Sequence, residues 1–344
     1  HWKISTTMPI SLTHQCLELS KRLFSLEAHK HLSSNALLMA MILIVNGACY
    51  SSAQALTFHP RMDQATWLSD SHVLQCQLTQ PIPSFGRAVF DSSAGQPLRF
   101  YLQSVSSAMA QGQALLQSEA PNWNPALSNV NLGLVNITEG DTPVNLDTVL
   151  ADQLLNELYK GMSPHFIRRG HLSQARPQDQ LLATAPASMT EPQIIKVGLS
   201  SVHFRAAYNQ YLQCLEQLMP VGFEQLSRSR VHFDADKWQL TAKTMDWLNT
   251  IVRYVEADSD IKQLYVDGYT DDLRSGAYNS QLSQKRAEAV AAYLVDKGIS
   301  AEQVTTRFHG ERFPVASNKT AEGRSTNRRV TIRLDKLGAA ISQR

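Results

Sequence analysis

The chain is poor in the residues that build special scaffolds. Among its 344 residues there are four cysteines and no C-x-x-C spacing, which excludes a zinc ribbon and a disulfide-dense mini-fold. Sixteen glycines and 14 prolines, against an apolar share of 43 %, exclude a collagen-like or largely disordered chain. A surplus of one charge is missing too. Lys and Arg number 32 and Asp and Glu 30, so there is no net basic character to drive general nucleic-acid binding. No H-E-x-x-H pair, G-x-S-x-G elbow, phosphate loop or dinucleotide fingerprint occurs. His165, His171, His203, His232 and His309 are scattered without ligand spacing. These absences point away from an enzyme and imply no cofactor or metal.

Long hydrophobic runs are also scarce. The longest is Ala36–Val45 (ALLMAMILIV), well short of the roughly 20 apolar residues that cross a bilayer. Lys30 and His31 precede it, and small and polar residues lead to Ala53-Gln54-Ala55. A basic region, a short apolar run and an A-x-A site together predict a secretory leader over residues 1–55, cleaved after Ala55. The competing expectation is lipidation at Cys49, but Val45-Asn46-Gly47-Ala48 lacks the apolar residue a lipobox carries three places upstream. Residues before about Lys30 carry no pattern. Cleavage removes Lys3, Lys21, Arg22, Lys30, Glu18 and Glu27, leaving a formally neutral mature chain. It also leaves two cysteines, Cys76 and Cys214. In an exported protein one such pair reads most simply as a disulfide, the alternative being two buried thiols.

The mature chain changes character near Pro220. Residues 56–220 read as a β-rich domain, with strands at Val73–Leu78, Gly86–Phe90, Leu98–Val105, Val130–Val135 and Ile194–Leu199. Two helices interrupt them. Asp147–Lys160 has Leu150, Leu154 and Leu158 at helical spacing before Gly161, and Phe204, Tyr208, Tyr211, Leu215 and Leu218 form a stripe that Pro220 stops. Residues 221–336 alternate strand and helix: Arg230–Phe233, then Leu240–Val255, Lys262–Val266, Leu282–Lys297, Thr305–His309 and Arg329–Leu334. This order predicts an α+β domain, a βαβαββ sandwich with helices on one face of one sheet. Residues 337–344 are a tail.

Three clusters in that second domain carry chemistry: Gly268-Tyr269-Thr270-Asp271-Asp272 leaving a strand, Asn279 to Ala287 opening a helix, and Gly323 to Val330 entering the last strand. Asp271 sits at a strand end and Arg286 on the first turns of the following helix, so the two can share one crevice. A carboxylate and a guanidinium suit a zwitterion, the first taking an ammonium and the second gripping a carboxylate. The bland reading is a half-exposed salt bridge worth about 0–1 kcal/mol. Asp272 reads as a turn residue. Arg324 and Arg328 divide evenly between a ligand role and a solvated face.

The string T-D…N-x-x-L-S-x-x-R-A, followed by G-R-x-x-N-R-R-V, resembles the OmpA-like peptidoglycan-binding family over about Ser229–Asp335. The resemblance implies binding of the diaminopimelate of the peptidoglycan peptide stem, with Asp271 at its ammonium and Arg286 at its carboxylate. Asn279, Leu282 and Arg329 fall on positions that shape or support that pocket. Tyr269 departs from the histidine many members carry. An acid beside an arginine stays ionised, which does not fit a hydrolase needing a carboxyl of raised pKa.

Leu74-Gln75-Cys76-Gln77-Leu78, Pro81-Ile82-Pro83-Ser84-Phe85-Gly86 and Ala88-Val89-Phe90 resemble the MotY family of periplasmic flagellar motor proteins, as does the late helix with Cys214. That resemblance implies a Cys76–Cys214 disulfide. It also implies a periplasmic place beside the basal body and assembly with MotX into the T ring. The N-terminal domain would hold the flagellar basal body rings, and the C-terminal domain would grip peptidoglycan. Stator complexes, of the sodium-driven PomA/PomB type in the family, would then be captured and kept from turning. The alternative is a general OmpA- or Pal-like tether between outer membrane and peptidoglycan.

Overall fold

Alternation of apolar and polar residues sets the strands of the first domain. In β3, Gln75–Ile82, Cys76, Leu78, Gln80 and Ile82 point inward and the residues between them outward. The structure is a computed structural model and describes residues 55–105, 109–170 and 193–337. The expected leader up to residue 54, Cys49 and the tail from 338 onward lie outside the described residues.

The first domain carries β1 (Ala55–Phe58), β2 (Leu68–His72), β3, β4 (Gly86–Ser93), β5 (Arg99–Ser104), β6 (Gly112–Glu119), β7 (Val130–Ile137) and β8 (Val144–Leu146). Helix α1 (Thr148–Lys160), β9 (Ser163–Gly170), β10 (Gln193–Gly198) and α2 (Phe204–Gln217) follow. They form two five-stranded sheets, β1-β10-β9-β6-β7 and β2-β3-β4-β5-β8. Both face one core, where Phe100 stacks on Phe166 at 5.8 Å and Trp67 meets Phe204 edge-on at 5.1 Å. Asp147 caps α1 by accepting from the Leu150 amide, and Gly161 ends it in the left-handed conformation.

Several strands were silent in the sequence. β2, LSDSH, is polar and almost wholly exposed. β6 turns Ser118 inward beside Ala114 and Leu116, and β9 begins Ser-Pro-His. β3 starts two residues later than expected and continues through Pro81. It can do so because β2 stops opposite Thr79, leaving the missing N–H of Pro81 without a strand to serve.

The second domain contains α3 (Phe223–Leu226), β11 (Arg228–His232), α4 (Ala242–Ala257), β12 (Ile261–Gly268), α5 (Gly276–Asp296), β13 (Val304–Phe308), α6 (Ala321–Asn327) and β14 (Arg329–Lys336). Its sheet runs β11-β14-β12-β13, with β13 parallel to β12 and the other pairs antiparallel. Apolar residues of α4 and α5, among them Leu248, Ile251, Val290 and Leu294, share a core with Leu264, Val266, Val330 and Ile332 of the strands. Two expectations need correction. Helix α5 begins at Gly276, not Leu282, because the Ser275 side chain accepts from the Tyr278 amide. A short helix, α6, precedes the last strand, its first turn capped by Thr320.

The two domains meet at the far end of the β3–β4 pair. There Gln225 Nε2 of the second domain donates to Gly95 O of the first (3.2 Å), while the Ala94 and Met219 amides tie the end of the first domain to its own Leu74 O (2.8 Å) and Val73 O (2.9 Å). Ala94 itself is buried in the core of the second domain. A disulfide joins Cys76 of β3 to Cys214 of α2, with Cα atoms 5.9 Å apart.

Candidate functional site

β12 delivers Asp267 and Gly268, and then Tyr269, Thr270 and Asp271, to the C-terminal end of the sheet. A Cβ on Gly268 would fall on the Ser283 carbonyl, so glycine is what lets α5 pack this close. The Tyr269 amide donates to Arg329 O (2.9 Å) and the Thr270 amide to Gly310 O (2.8 Å), which fixes the segment on both sides. Asp271 is 6 % exposed. Its Oδ2 lies 3.0 Å from Arg328 Nη1, and its Oδ1 accepts from the Leu273 amide at 3.4 Å.

Arg286 departs from expectation. It does not form the ion pair with Asp271; Arg328 does. With α5 starting at Gly276, Arg286 falls on the third turn rather than the first, and its guanidinium runs beneath the loop between β11 and α4. It is fully enclosed there. Nε donates to Lys237 O (2.8 Å), Nη1 to Tyr269 O (3.1 Å) and Nη2 to Asp234 O (2.9 Å), with the Phe233 ring 5.2 Å away. Burial pulls its pKa down to about 10 while the charge of Asp271 opposes the fall, so it remains a cation at neutral pH. Arg286 therefore pins the β11–α4 loop to the end of β12 and places a positive charge under Asp271. A second tie, Arg274 to Asp236 at 2.6 Å, holds the same loop from the solvent side.

The supporting residues are buried around this pair. Asn279 is 1 % exposed, and its Nδ2 donates to Arg274 O (3.0 Å) and to Glu311. Leu282 is 6 % exposed on the same helix. Arg329 lies 3.9 Å from the centre of the Tyr269 ring and donates to Phe313 O at 3.1 Å; burial lowers its pKa. The other face of Tyr269 stacks on His309 at 4.8 Å. Tyr269 thus serves as a spacer between a guanidinium and an imidazole. His309 in turn meets Asp267 (3.1 Å), which Arg307 grips with two hydrogen bonds. These bonds outweigh burial and hold the Asp267 carboxyl below its ordinary range.

The far wall is the loop after β13. Asn327 is fully buried and accepts from the amides of Val315 (2.8 Å) and Ala316 (3.1 Å), while its Nδ2 donates to Ala316 O (2.8 Å) and Asn318 Oδ1 (2.7 Å). Gly323 sits against the Ser317 carbonyl, where no side chain fits. Arg324 donates to Asn318 O at 2.9 Å and so belongs to this wall. Asp272 is exposed in the turn after Asp271. Among the described residues no group of three or more His, Cys, Asp or Glu is placed to hold a metal. What the arrangement offers is a carboxylate with unfilled acceptor positions beside one part-exposed and one enclosed guanidinium.

The MotY N-terminal domain family matches residues 58–220, and the OmpA family matches residues 232–328. The sodium-type flagellar protein MotY of Vibrio parahaemolyticus is 31 % identical over 268 residues, covering 76 % of this chain and 84 % of that protein. The chain belongs to the MotY family. Outer membrane protein A of Bordetella avium is similar over the second domain only, 38 % identical over 119 residues, covering 35 % of this chain and 61 % of that one. Among solved structures, the peptidoglycan-associated lipoprotein of Burkholderia pseudomallei aligns with 31 % of this chain and 89 % of its own, at 27 % identity and a TM-score of 0.30.

Within this MotY-family chain, Arg328 is the site residue that sequence reasoning left undecided. It stands between α6 and β14 as the C-cap of the helix, where neither helical nor strand periodicity says which way a side chain points. The carbonyls of Asp234 and Lys237 were beyond reach for another reason: a backbone acceptor leaves no trace in residue identity.

Proposed function

We propose that this protein is a flagellar motor component that grips peptidoglycan and holds stators in place around the basal body. It is a structural and binding protein, not an enzyme, in keeping with its relatives. The observation that carries the reading is the joining, in one chain, of a MotY-type first domain to an OmpA-type second domain bearing Asp271 and its arginines. In this reading the protein acts in the periplasm and assembles with MotX into the T ring. The first domain holds the basal body rings, and stators of the sodium-driven PomA/PomB type dock outside it. Among the described residues no helix is long and apolar enough to cross a membrane.

At the site, the ligand is the diaminopimelate of the peptide stem. Asp271 accepts its ammonium through the lone pairs that Arg328 and the Leu273 amide leave open. Arg286 has five N–H donors and spends three on carbonyls. It meets the ligand carboxylate once the β11–α4 loop yields one of its two contacts, and Arg328, already beside Asp271, joins it. Asn279, Leu282 and Arg329 keep the walls in register.

Co-sedimentation with isolated sacculi tests the site. Asp271→Ala and Arg286→Ala should each lose binding while keeping a native circular dichroism spectrum, and Arg328→Ala should weaken it. Retained pull-down in both of the first two variants refutes the assignment. Deleting the gene should leave flagella assembled but paralysed; undisturbed swimming refutes the motor role.

A further inference from the structure

The outer edge of the second domain's sheet carries a second binding feature, on the strand that leads into the loop held by Arg286. β11 pairs with β14 on one side only. The Phe233 amide donates to Arg328 O and the Leu334 amide to Ser227 O, which makes 227, 229, 231 and 233 the residues whose backbone faces β14. The N–H and C=O groups of Arg228, Arg230 and His232 consequently point outward, along an edge where, among the described residues, no strand adds to them.

The same three residues expose their side chains, and among the described residues none of the three makes a side-chain hydrogen bond or ion pair. Beside the edge, between β11 and α4, lies a groove of about 590 Å³ lined by Arg230, His232, Lys243 and Trp247, with Asp246 the one carboxylate on its wall. Ser227 to Phe233 contains no acidic residue. An unpaired strand edge is a template for another strand, and its charges decide which strand. A second copy of this chain is disfavoured: antiparallel self-pairing about Arg230 sets arginine opposite arginine, and like charges directly opposite are destabilising.

We infer that β11 and its flanking groove form a docking site for an extended acidic segment of a partner protein, which adds as a fifth strand. Its backbone bonds the outward groups of Arg228, Arg230 and His232. Its carboxylates, at alternate positions, pair across the strands with the same side chains, and Lys243 meets one that turns into the groove.

A fluorescent octapeptide alternating Asp with Val, titrated against the full chain at low salt, tests this. It should bind at least about tenfold tighter than its Lys–Val counterpart, and the amides of Arg230 and His232 should become protected from hydrogen exchange. Arg230→Pro removes an outward N–H while leaving the ladder to β14 whole, and it should lose binding that Arg230→Ala only weakens. Sacculus co-sedimentation of Arg230→Pro at the parental level confirms that the domain is folded and that the Asp271 site is separate. Equal binding by Arg230→Pro and Arg230→Ala, equal binding of the two peptides, or no protection at Arg230 and His232 in the unmodified chain overturns the inference.

Discussion

Replacing Cys76 and Cys214 together by alanine should selectively weaken the first domain. The disulfide closes a loop of 138 residues, and cross-linking a loop of that size removes about 5 kcal/mol of chain entropy from the unfolded state. The bridge ties α2, the last element of the domain, to β3 near its beginning, so nearly every strand of both sheets lies inside the loop. Both sulfurs are in the core, Cys76 at 0 % and Cys214 at 5 % exposure. The two alanines therefore lose some packing as well as the constraint. With a urea dependence of about 2–3 kcal/mol per molar, the unfolding midpoint of this domain should fall by roughly 2 M. Trp67, buried against Phe204 and donating from Nε1 to Ser200 O at 2.8 Å, reports on this domain, and Trp247 on the other. Titration followed by fluorescence of variants keeping one or the other tryptophan separates the two transitions. A Trp67 transition unmoved by loss of both cysteines would falsify the loop-closure reasoning, and an equal shift at Trp247 would show that the domains unfold together.

Three further outcomes are expected. His165 is buried, donates from Nδ1 to Ser163 O at 2.8 Å, stacks on His59 and lies near Glu119 and Lys196. Burial, aided by Lys196 and opposed by Glu119, lowers its pKa from 6.5 to about 4. The unfolded chain takes this proton first, so the neutral ring's contribution is whole above pH 6.5 and is lost as pH falls toward 4. The loss is about 3 kcal/mol; urea titrations at pH 7 and pH 4.5 should show a slope that His165→Gln reduces, and an unchanged slope sinks the assignment. Gly268→Ala sets a methyl group on the Ser283 carbonyl and should cost about 2–3 kcal/mol by forcing α5 off β12; a melting temperature equal to the parent's contradicts the close approach. Asn327→Ala removes four hydrogen bonds to the loop at residues 315–318 and should cost about 2–4 kcal/mol. Sacculus binding should fall with it, and full binding would show that this wall is dispensable.

How much was legible in the sequence can be judged from particular elements. α1 is legible to within one residue because Asp147 and Gly161 mark its ends chemically and its leucines repeat at helical spacing. β2 and β9 were not, since polar strands owe their pairing to neighbours rather than to their own pattern. The start of α5 was misplaced because Gly276 and Asn279 are poor helix formers, and the decisive signal was the single capping bond from Ser275.

The sequence by itself determined the two-domain order, the pairing candidates Cys76 and Cys214, and the set of polar residues that crowd one strand end. Those are properties of residue type and spacing, which the chain carries before it folds. Only the tertiary structure decided how the charges are shared. Arg328 rather than Arg286 meets Asp271, because α5 begins early and swings Arg286 under the β11–α4 loop, where three carbonyls claim it. It alone also decided that Arg228, Arg230 and His232 turn their backbones outward, because hydrogen-bond register along β14 is a relation between strands and is written in neither one.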